Sequence, residues 1–378
     1  MKIVFLASGT VRSNFSYRIV ALARSLVRLG HEVSIIAPKA DKYNNFLPEN
    51  IAVLDGVKIL QPFQFATKHP EINLLPYIFG AVQMLFRQKP ELVYIYKPTP
   101  VSIVGLMGKF MKNTMVVTDF DDIGSKVMRI EGYPLHQRIL VSWSEKLAAR
   151  AADRLVVAST YLLKKYKSEY PKKPIHLMPN GVEADWFTHS IQSGAAKRIV
   201  FLGAINRKSI LEPLFDVLPD LIKKHSDVEV LIIGDGEYLS FFKEKASELH
   251  IEKQVVFKGW MPVEKAKEYL QSGDIGYCYM PQDASTAAAS NMKVPQYMSQ
   301  GVVPLVSRVG DLPNIAEEGR VGYIAEPDNK KSLLEILEHA LTDLRRKDKA
   351  YAAQESAKLK LCTDVLAVHF NEWIASNI

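Results

Sequence analysis

A chain of 378 residues, 48% hydrophobic and 24% charged with 20 Gly and 20 Pro, has ordinary globular composition and enough length for two domains. That composition excludes a disordered or low-complexity chain, and no stretch approaches the roughly 18 uninterrupted apolar residues of a membrane helix. The net charge of +7 is concentrated in residues 1–190, with about 25 Lys/Arg against 15 Asp/Glu, so an anionic lipid or phosphorylated acceptor suits it, as do plainly solvated helix faces.

The chain opens on Lys2–Ala7, a β-rich apolar run too short for the core of a secretory leader and better suited to a first strand. Ser8-Gly9-Thr10 forms a turn, Ser16–Leu29 carries helical spacing, Gly30-His31 stops that helix, and Glu32–Ala37 starts a second strand. Further strands are expected at Leu92–Tyr96, Met115–Thr118, Arg154–Ala158 and Ile175–Leu177, with helices near 75–88, 100–111, 136–152 and 160–168. Short, fully apolar strands alternating with helices predict a parallel sheet covered on both faces.

A second cycle starts at Arg198–Leu202. It continues with a helix near 210–225, the strand Glu229–Ile233, a turn at Gly234-Asp235-Gly236 and a helix near 237–249. Strands are then expected at Val255–Phe257, Ile275–Tyr279, Val303–Ser307 and Val321–Ile324. The small, polar stretch Ser190–Ala196 reads as a connector. The predicted fold is therefore α/β with two doubly wound, Rossmann-like domains, residues 1–189 and 190–364. The final amphipathic helix, 365–378 with Phe370 and Trp373, is expected across the junction, packing back on the first domain. Cys278 and Cys362 have no His or Cys at metal-ligand spacing and read as buried thiols of a reduced intracellular protein.

Open α/β sheets bind ligands beyond the carboxyl ends of their strands, so candidate site residues are sought there. Gly234, Gly236 and Glu237 follow a strand and open a helix, where backbone can approach an anion or simply turn tightly. Ser8, Gly9 and Thr10 occupy the same place in the first domain. Gly203 precedes Arg207 and Lys208, adjacent cations able to neutralise a diphosphate, or else a solvated loop. Ser290, Asn291 and Met292 lead into a short helix from Lys293, with Pro295 in its first turn. Lys293 and Gln296 share a helix face, offering a cation for phosphate and an amide for sugar hydroxyls. Asp119, Asp121 and Asp122 crowd the end of one strand; capping, a metal, a base for an acceptor hydroxyl and hydrogen bonds to sugar all account for them. No His or Cys completes a metal set there.

In this order the landmarks resemble the GT-B glycosyltransferases, particularly the family 4-like branch, over nearly the whole chain. Leu29-Gly30-His31-Glu32-Val33 is similar to the family's first helix end, and Lys89-Pro90-Glu91-Leu92-Val93 to its "Lys-Pro-Asp-Val-Val" strand start. Met178-Pro179-Asn180-Gly181-Val182-Glu183 with Phe187 resembles the inter-domain "Pro-Asn-Gly-Val-Asp" signature. Phe201-Leu202-Gly203 with Lys208, Ile233-Gly234-Asp235-Gly236 and Val256-Phe257-Lys258-Gly259-Trp260 resemble the donor domain's glycine turns and the strand beside the nucleobase.

The resemblance implies an N-terminal acceptor domain and a C-terminal donor domain facing each other across a cleft. It also implies a UDP- or GDP-sugar donor, retention of configuration, and no metal or cofactor. The acceptor is expected to be a glycan or lipid-linked molecule in cell-surface polysaccharide or glycan biosynthesis, with the protein cytoplasmic and peripheral at the inner membrane face. No nucleic acid is expected among its partners. Gly259 and Trp260 would border the base, Trp260 as a wall or by packing.

The sequence departs from the family at the donor site. Two glutamates usually stand eight residues apart, where this chain has Ala288 and Gln296. Ala204 replaces the usual Arg after the first glycine, and the acidic trio stands where a sugar-contacting His is common. A glycosyltransferase is the leading expectation. A degenerate binding subunit that supports a catalytic partner, or another GT-B enzyme such as a sugar-nucleotide epimerase, remains open.

Overall fold

The computed structural model describes residues 1–11, 17–38, 53–63, 74–187, 191, 197–271 and 273–376. The chain divides into two compact units. The first comprises Met1–Asn180, Ala288–Ser290 and Thr363–Ile378, and the second Gly181–Ala287 and Asn291–Cys362. The division thus falls at Asn180/Gly181, whereas the polar composition had pointed to 189/190. The proposed connector itself lies outside the described residues except for Ile191.

The first unit is built on β1 (Lys2–Leu6), α1 (Tyr17–Arg28), β2 (Glu32–Ile36), β3 (Val53–Leu54), β4 (Val57–Leu60) and α2 (Leu74–Gln88). β5 (Leu92–Tyr96), β6 (Met115–Phe120), α3 (Gly124–Ile130), α4 (Leu135–Ala151), β7 (Arg154–Val157), α5 (Thr160–Glu169) and β8 (Ile175–Leu177) follow. Its eight strands run in the order β3-β4-β2-β1-β5-β6-β7-β8. All neighbours are parallel except the β3–β4 hairpin, which the sequence reading missed because a two-residue strand shows no periodicity. The stretch expected as a helix at 100–111 is instead a 3₁₀ segment, Ser102–Phe110. The helix expected from Ser16 is described from Tyr17, Ser16 itself lying outside the described residues.

The second unit contains β9 (Lys197–Leu202), α6 (Lys208–Lys224), β10 (Val228–Ile233), α7 (Leu239–Glu248), β11 (Val255–Gly259), α8 (Val263–Leu270) and β12 (Ile275–Cys278). α9 (Ala284–Ala288), α10 (Lys293–Ser299), β13 (Val303–Ser307), α11 (Leu312–Ile315), β14 (Tyr323–Ala325), α12 (Lys330–Thr342) and α13 (Arg346–Lys360) complete the series. The six strands run β11-β10-β9-β12-β13-β14, and every pairing is parallel. Strands buried along their length explain the near-continuous apolar runs: β5 (Leu-Val-Tyr-Ile-Tyr), β12 and β13 are each buried throughout. Cys278 and Cys362 are buried free thiols.

The last helix, α14 (Thr363–Ala375), belongs to the first unit and lies against α1. Phe370 is fully buried in that unit's core, its ring edge-on to Tyr94 at 5.6 Å. Asp364 accepts from the Ser25 hydroxyl and the Arg28 guanidinium, and the Trp373 carbonyl accepts from Arg154.

Candidate functional site

Among the parallel strands the order reverses between β1 and β5 in the first unit and between β9 and β12 in the second. Loops leave in opposite directions at such a point and open a crevice at the strands' carboxyl ends.

In the second unit the crevice is framed by the turns after β9, β10 and β11. These turns are laced by backbone hydrogen bonds: Gly203 N–H to Ile233 O at 2.9 Å, Gly234 N–H to Gly259 O at 2.9 Å, and Ile205 N–H to Asp235 O at 3.0 Å. The Gly236 N–H donates to the Asp235 carboxylate at 2.7 Å. The three glycine amides are therefore already engaged within the protein, so of the two readings open for Gly234 and Gly236, anion approach or a tight turn, the geometry favours the turn. Their role is steric. Gly203 and Gly234 adopt φ of +144° and +143°, and a Cβ on Gly234 would collide with the Gly203 carbonyl. α7 begins at Leu239, so Glu237 lies exposed in the turn before it.

Lys293 closes this crevice from α10. A Cβ at Gly203 would lie 2.5 Å from Lys293 Cε, so the lysine stem runs directly over that glycine. The ammonium sits 5.2 Å from the Phe201 ring centroid. Among the described residues no carboxylate pairs with it, and burial pulls its pKa below the usual lysine value. What holds α10 is Tyr297. Its hydroxyl accepts the Leu202 N–H at 2.9 Å and donates to the Tyr277 carbonyl at 3.1 Å, with the ring seated over Gly276. Asn291 accepts the Lys293 backbone N–H at 3.0 Å, which starts the helix, and Met292 packs on the core beneath it. Gln296 is half-buried one turn beyond Lys293.

The remaining second-unit candidates are placed variously. Arg207 takes the extended N-cap position of α6, half-buried, with no acceptor on its side chain among the described residues. Lys208 is instead stacked on α7, its ammonium 3.8 Å from the Phe241 ring centroid. Gly259 supplies the carbonyl that Gly234 uses, and Trp260 is 54% exposed. A cavity of about 300 Å³ near the start of α6 is lined by Ser209, Glu212, Asp216, Tyr279, Asp328 and other residues. None of the predicted residues lines it, and its one lining cation, Lys330, is already paired with Asp216 at 2.9 Å.

In the first unit Ser8, Gly9 and Thr10 follow β1, half-buried. The acidic trio does not act as one group. Asp119 is fully buried: Arg18 grips both its oxygens at 2.8 and 3.2 Å, and the Tyr94 hydroxyl donates to it at 2.7 Å. Arg18 also donates to the Met178 and Pro179 carbonyls and to Asn180 Oδ1. Burial opposes the charge on Arg18, but Asp119 more than offsets this and holds the guanidinium above its ordinary pKa. Asp119 is thereby corrected from a candidate for substrate contact to the anchor of Arg18. Asn180 donates from Nδ2 to the Ser290 carbonyl and from its backbone to the Ser290 hydroxyl, at 2.7 and 2.8 Å. Ser290 is thus a structural contact of the first unit rather than a free donor-binding hydroxyl.

Asp121 and Asp122 share Lys97, at 3.2 and 3.0 Å, and the Tyr96 hydroxyl donates to Asp121 at 2.8 Å. Burial raises the Asp122 pKa against the pull of Lys97, while Lys97 is held above its usual value by the pair despite its own burial. The arrangement offers a carboxylate able to accept from a hydroxyl, with a cation fixed beside it. Among the described residues no three His, Cys, Asp or Glu side chains converge as metal ligands.

Sequence reasoning missed Arg18, Lys97 and Tyr297. Lys97 stands directly after β5, as Asp119 stands directly after the strand expected at Met115–Thr118, so it was findable; β6 itself runs on to Phe120 and includes Asp119. Arg18 interrupts an apolar helix face, which flags it without naming its partner.

Residues 16–186 match the family model Glycosyltransferase Family 4, and residues 186–358 match Glycosyl transferases group 1. The GDP-mannose-dependent alpha-(1-6)-phosphatidylinositol monomannoside mannosyltransferase of Mycolicibacterium smegmatis is 21% identical over 347 residues, 86% of this chain and 85% of that protein. A shorter match, 25% over 189 residues, covers 48% of this chain and 40% of the phosphatidylinositol N-acetylglucosaminyltransferase GPI3 subunit of Saccharomyces cerevisiae. Among solved structures, sucrose-phosphate synthase from Thermosynechococcus elongatus superposes with a TM-score of 0.80 at 14% identity, covering 100% of this chain and 98% of that one. Anabaena Alr3699/HepE in complex with UDP and glucose gives 0.74 at 16% identity, covering both chains completely.

Proposed function

Because the chain is a GT-B glycosyltransferase of the family 4-like branch, we propose that it transfers a hexose or N-acetylhexosamine, with retention, from a UDP- or GDP-sugar to a glycan or lipid-linked acceptor at the cytoplasmic membrane face. Relatives named for transfer to phosphatidylinositol derivatives, and a neighbour solved with UDP and glucose, support a nucleotide-sugar donor and a glycolipid or polysaccharide product.

The observation that carries the proposal is Lys293. A partly buried ammonium with no carboxylate beside it among the described residues bears an uncompensated desolvation cost and gains most from an anion placed in the crevice. The donor pyrophosphate is that anion, and its charge grows as the sugar departs. Lys293 thus binds the leaving group more tightly in the transition state than in the ground state. Arg207, also without an acceptor among the described residues, adds a second cation at the same strand ends. Gln296 supplies a neutral amide to the donor, where a carboxylate would accept more strongly. In the first unit Asp122, flanked by Lys97, orients the acceptor hydroxyl, and Ser8–Thr10, which follow β1, contact the acceptor. No metal or cofactor is assigned a step, because side-chain cations neutralise the phosphate.

The test is donor binding and transfer by K293A and R207A. Loss of both functions supports the assignment, and wild-type behaviour in both variants ends it.

The residues Ala288 and Gln296 favour a second reading, a binding subunit whose donor carboxylates are gone. It predicts weak or absent nucleotide binding by the isolated chain, with activity restored only by a partner. A thermal-shift screen of UDP-, GDP- and ADP-sugars separates the two, since ligand at 100 times its Kd stabilises by about 2.7 kcal/mol.

A further inference from the structure

The α3–α4 hairpin of the first unit inverts the usual polarity of a helical pair. α3 has no buried residue, residues 129–137 are all exposed, and Ser144 is the first buried position of α4. Yet the hairpin is not polar. Ile130, Tyr133, Leu135, Ile139, Leu140 and Trp143 are 45–62% exposed. On α4, Leu135, Ile139 and Trp143 stand four residues apart and form one stripe along the helix. Isolated exposed apolar residues need no explanation, but six on one hairpin mark a contact surface.

The charges say what the surface meets. Lys126, Arg129, Lys146 and Arg150 are exposed around the stripe, and Arg138 is half-buried within it. Across residues 124–151 the carboxylates are Glu131, exposed, and Glu145, which is buried and bonded to the Ser125 hydroxyl at 2.6 Å. A cationic rim around an apolar stripe, with Trp and Tyr among its rings, matches the headgroup region of an anionic bilayer. There amphipathic rings and lysine or arginine side chains find apolar and phosphate partners together. Among the described residues no helix is long and apolar enough to cross a membrane, so the contact is interfacial.

We propose that the α3–α4 hairpin is the surface by which this protein docks on anionic lipid. The stripe Leu135–Ile139–Trp143 enters the headgroup layer, and the flanking cations pair with lipid phosphates. The docking needs neither donor nor acceptor, so it stands or falls apart from the transfer reaction.

The experiment is vesicle co-sedimentation of the full chain without nucleotide, on phosphatidylcholine with and without phosphatidylglycerol. Wild type is expected to bind the anionic vesicles preferentially and to release in high salt. I139S/W143S should bind about tenfold more weakly, with an unchanged melting curve. R129Q/K146Q/R150Q should lose the preference for anionic lipid. Brominated lipid should quench tryptophan emission in wild type and far less in W143F, a variant that keeps the aromatic ring and guards against misfolding. Wild type that binds neither vesicle, or I139S/W143S that binds like wild type, overturns the proposal. So does a wild-type dimer that I139S/W143S makes monomeric without any vesicle binding, since a second copy of the chain would then be the occupant.

Discussion

The Tyr297 hydroxyl accepts the backbone N–H of Leu202 at 2.9 Å, tying α10 to the last residue of β9. The next residue is Gly203, over which Lys293 lies, so one phenol sets the height of the lysine above the glycine turn. Y297F leaves the Leu202 N–H and the Tyr277 carbonyl without this partner. We expect a loss of about 1–3 kcal/mol in stability and a raised KM for the donor, read by thermal denaturation and steady-state kinetics.

Substitution of Lys293 separates stability from function. K293M removes a charge that burial disfavours, so its melting temperature should rise. Transfer should fall about 100-fold, close to 3 kcal/mol of lost transition-state stabilisation. A variant that is more stable and fully active would contradict the assigned role.

The pH profile follows from the same burial. Lys293 titrates below the ordinary lysine range, and its protonated form binds the donor. As pH rises through that lowered pKa the cation is lost, so kcat/KM for the donor should decline at alkaline pH. K293R, which keeps its charge, should move this limb to higher pH if it retains activity. The linkage has the opposite sign for stability. Between the folded and unfolded pKa values the unfolded chain binds more protons at Lys293, so its contribution to stability rises with pH there.

Asp119 and Asp122 should respond differently to neutralisation. D119N leaves Arg18 buried beside a neutral amide and is expected to destabilise by about 3–5 kcal/mol, with kcat per folded molecule less affected. D122N should change the melting temperature less and lower kcat/KM for the acceptor. Denaturation midpoints measured beside acceptor kinetics distinguish the two.

F370A tests whether α14 is part of the first unit's core. The ring is fully buried against Tyr94, so truncation should destabilise by about 3–5 kcal/mol without altering donor affinity in the second unit. Calorimetry and nucleotide titration provide the two readouts.

The wound α/β pattern was legible because it rests on local properties: runs such as Ile199–Phe201 and Val303–Val306 have the length and β-branched content of doubly buried strands, and glycine follows several of them, as at Gly203 and Gly234. The hairpin of β3 and β4 was not, since strands of two and four residues are too short to show a period, and Ser102–Phe110 was legible as helical but not as 3₁₀, because apolar spacing over nine residues does not separate the two. At the candidate site, Lys293 and Arg207 were visible as cations just beyond strands. The engagement of the glycine amides was invisible, because backbone hydrogen bonds between successive turns leave no mark on side-chain types.

By itself the sequence determined the order of strands and helices and the kinds of side chain at their carboxyl ends, since hydrophobic period and turn chemistry act over a few residues. Tertiary structure alone decided that Asp119 is spent on Arg18, 101 residues away, while Lys293 has no carboxylate partner among the described residues. Which charges meet depends on how sheets and helices stack, and in a buried setting the presence or absence of one partner decides whether a charged group holds the fold or awaits a ligand.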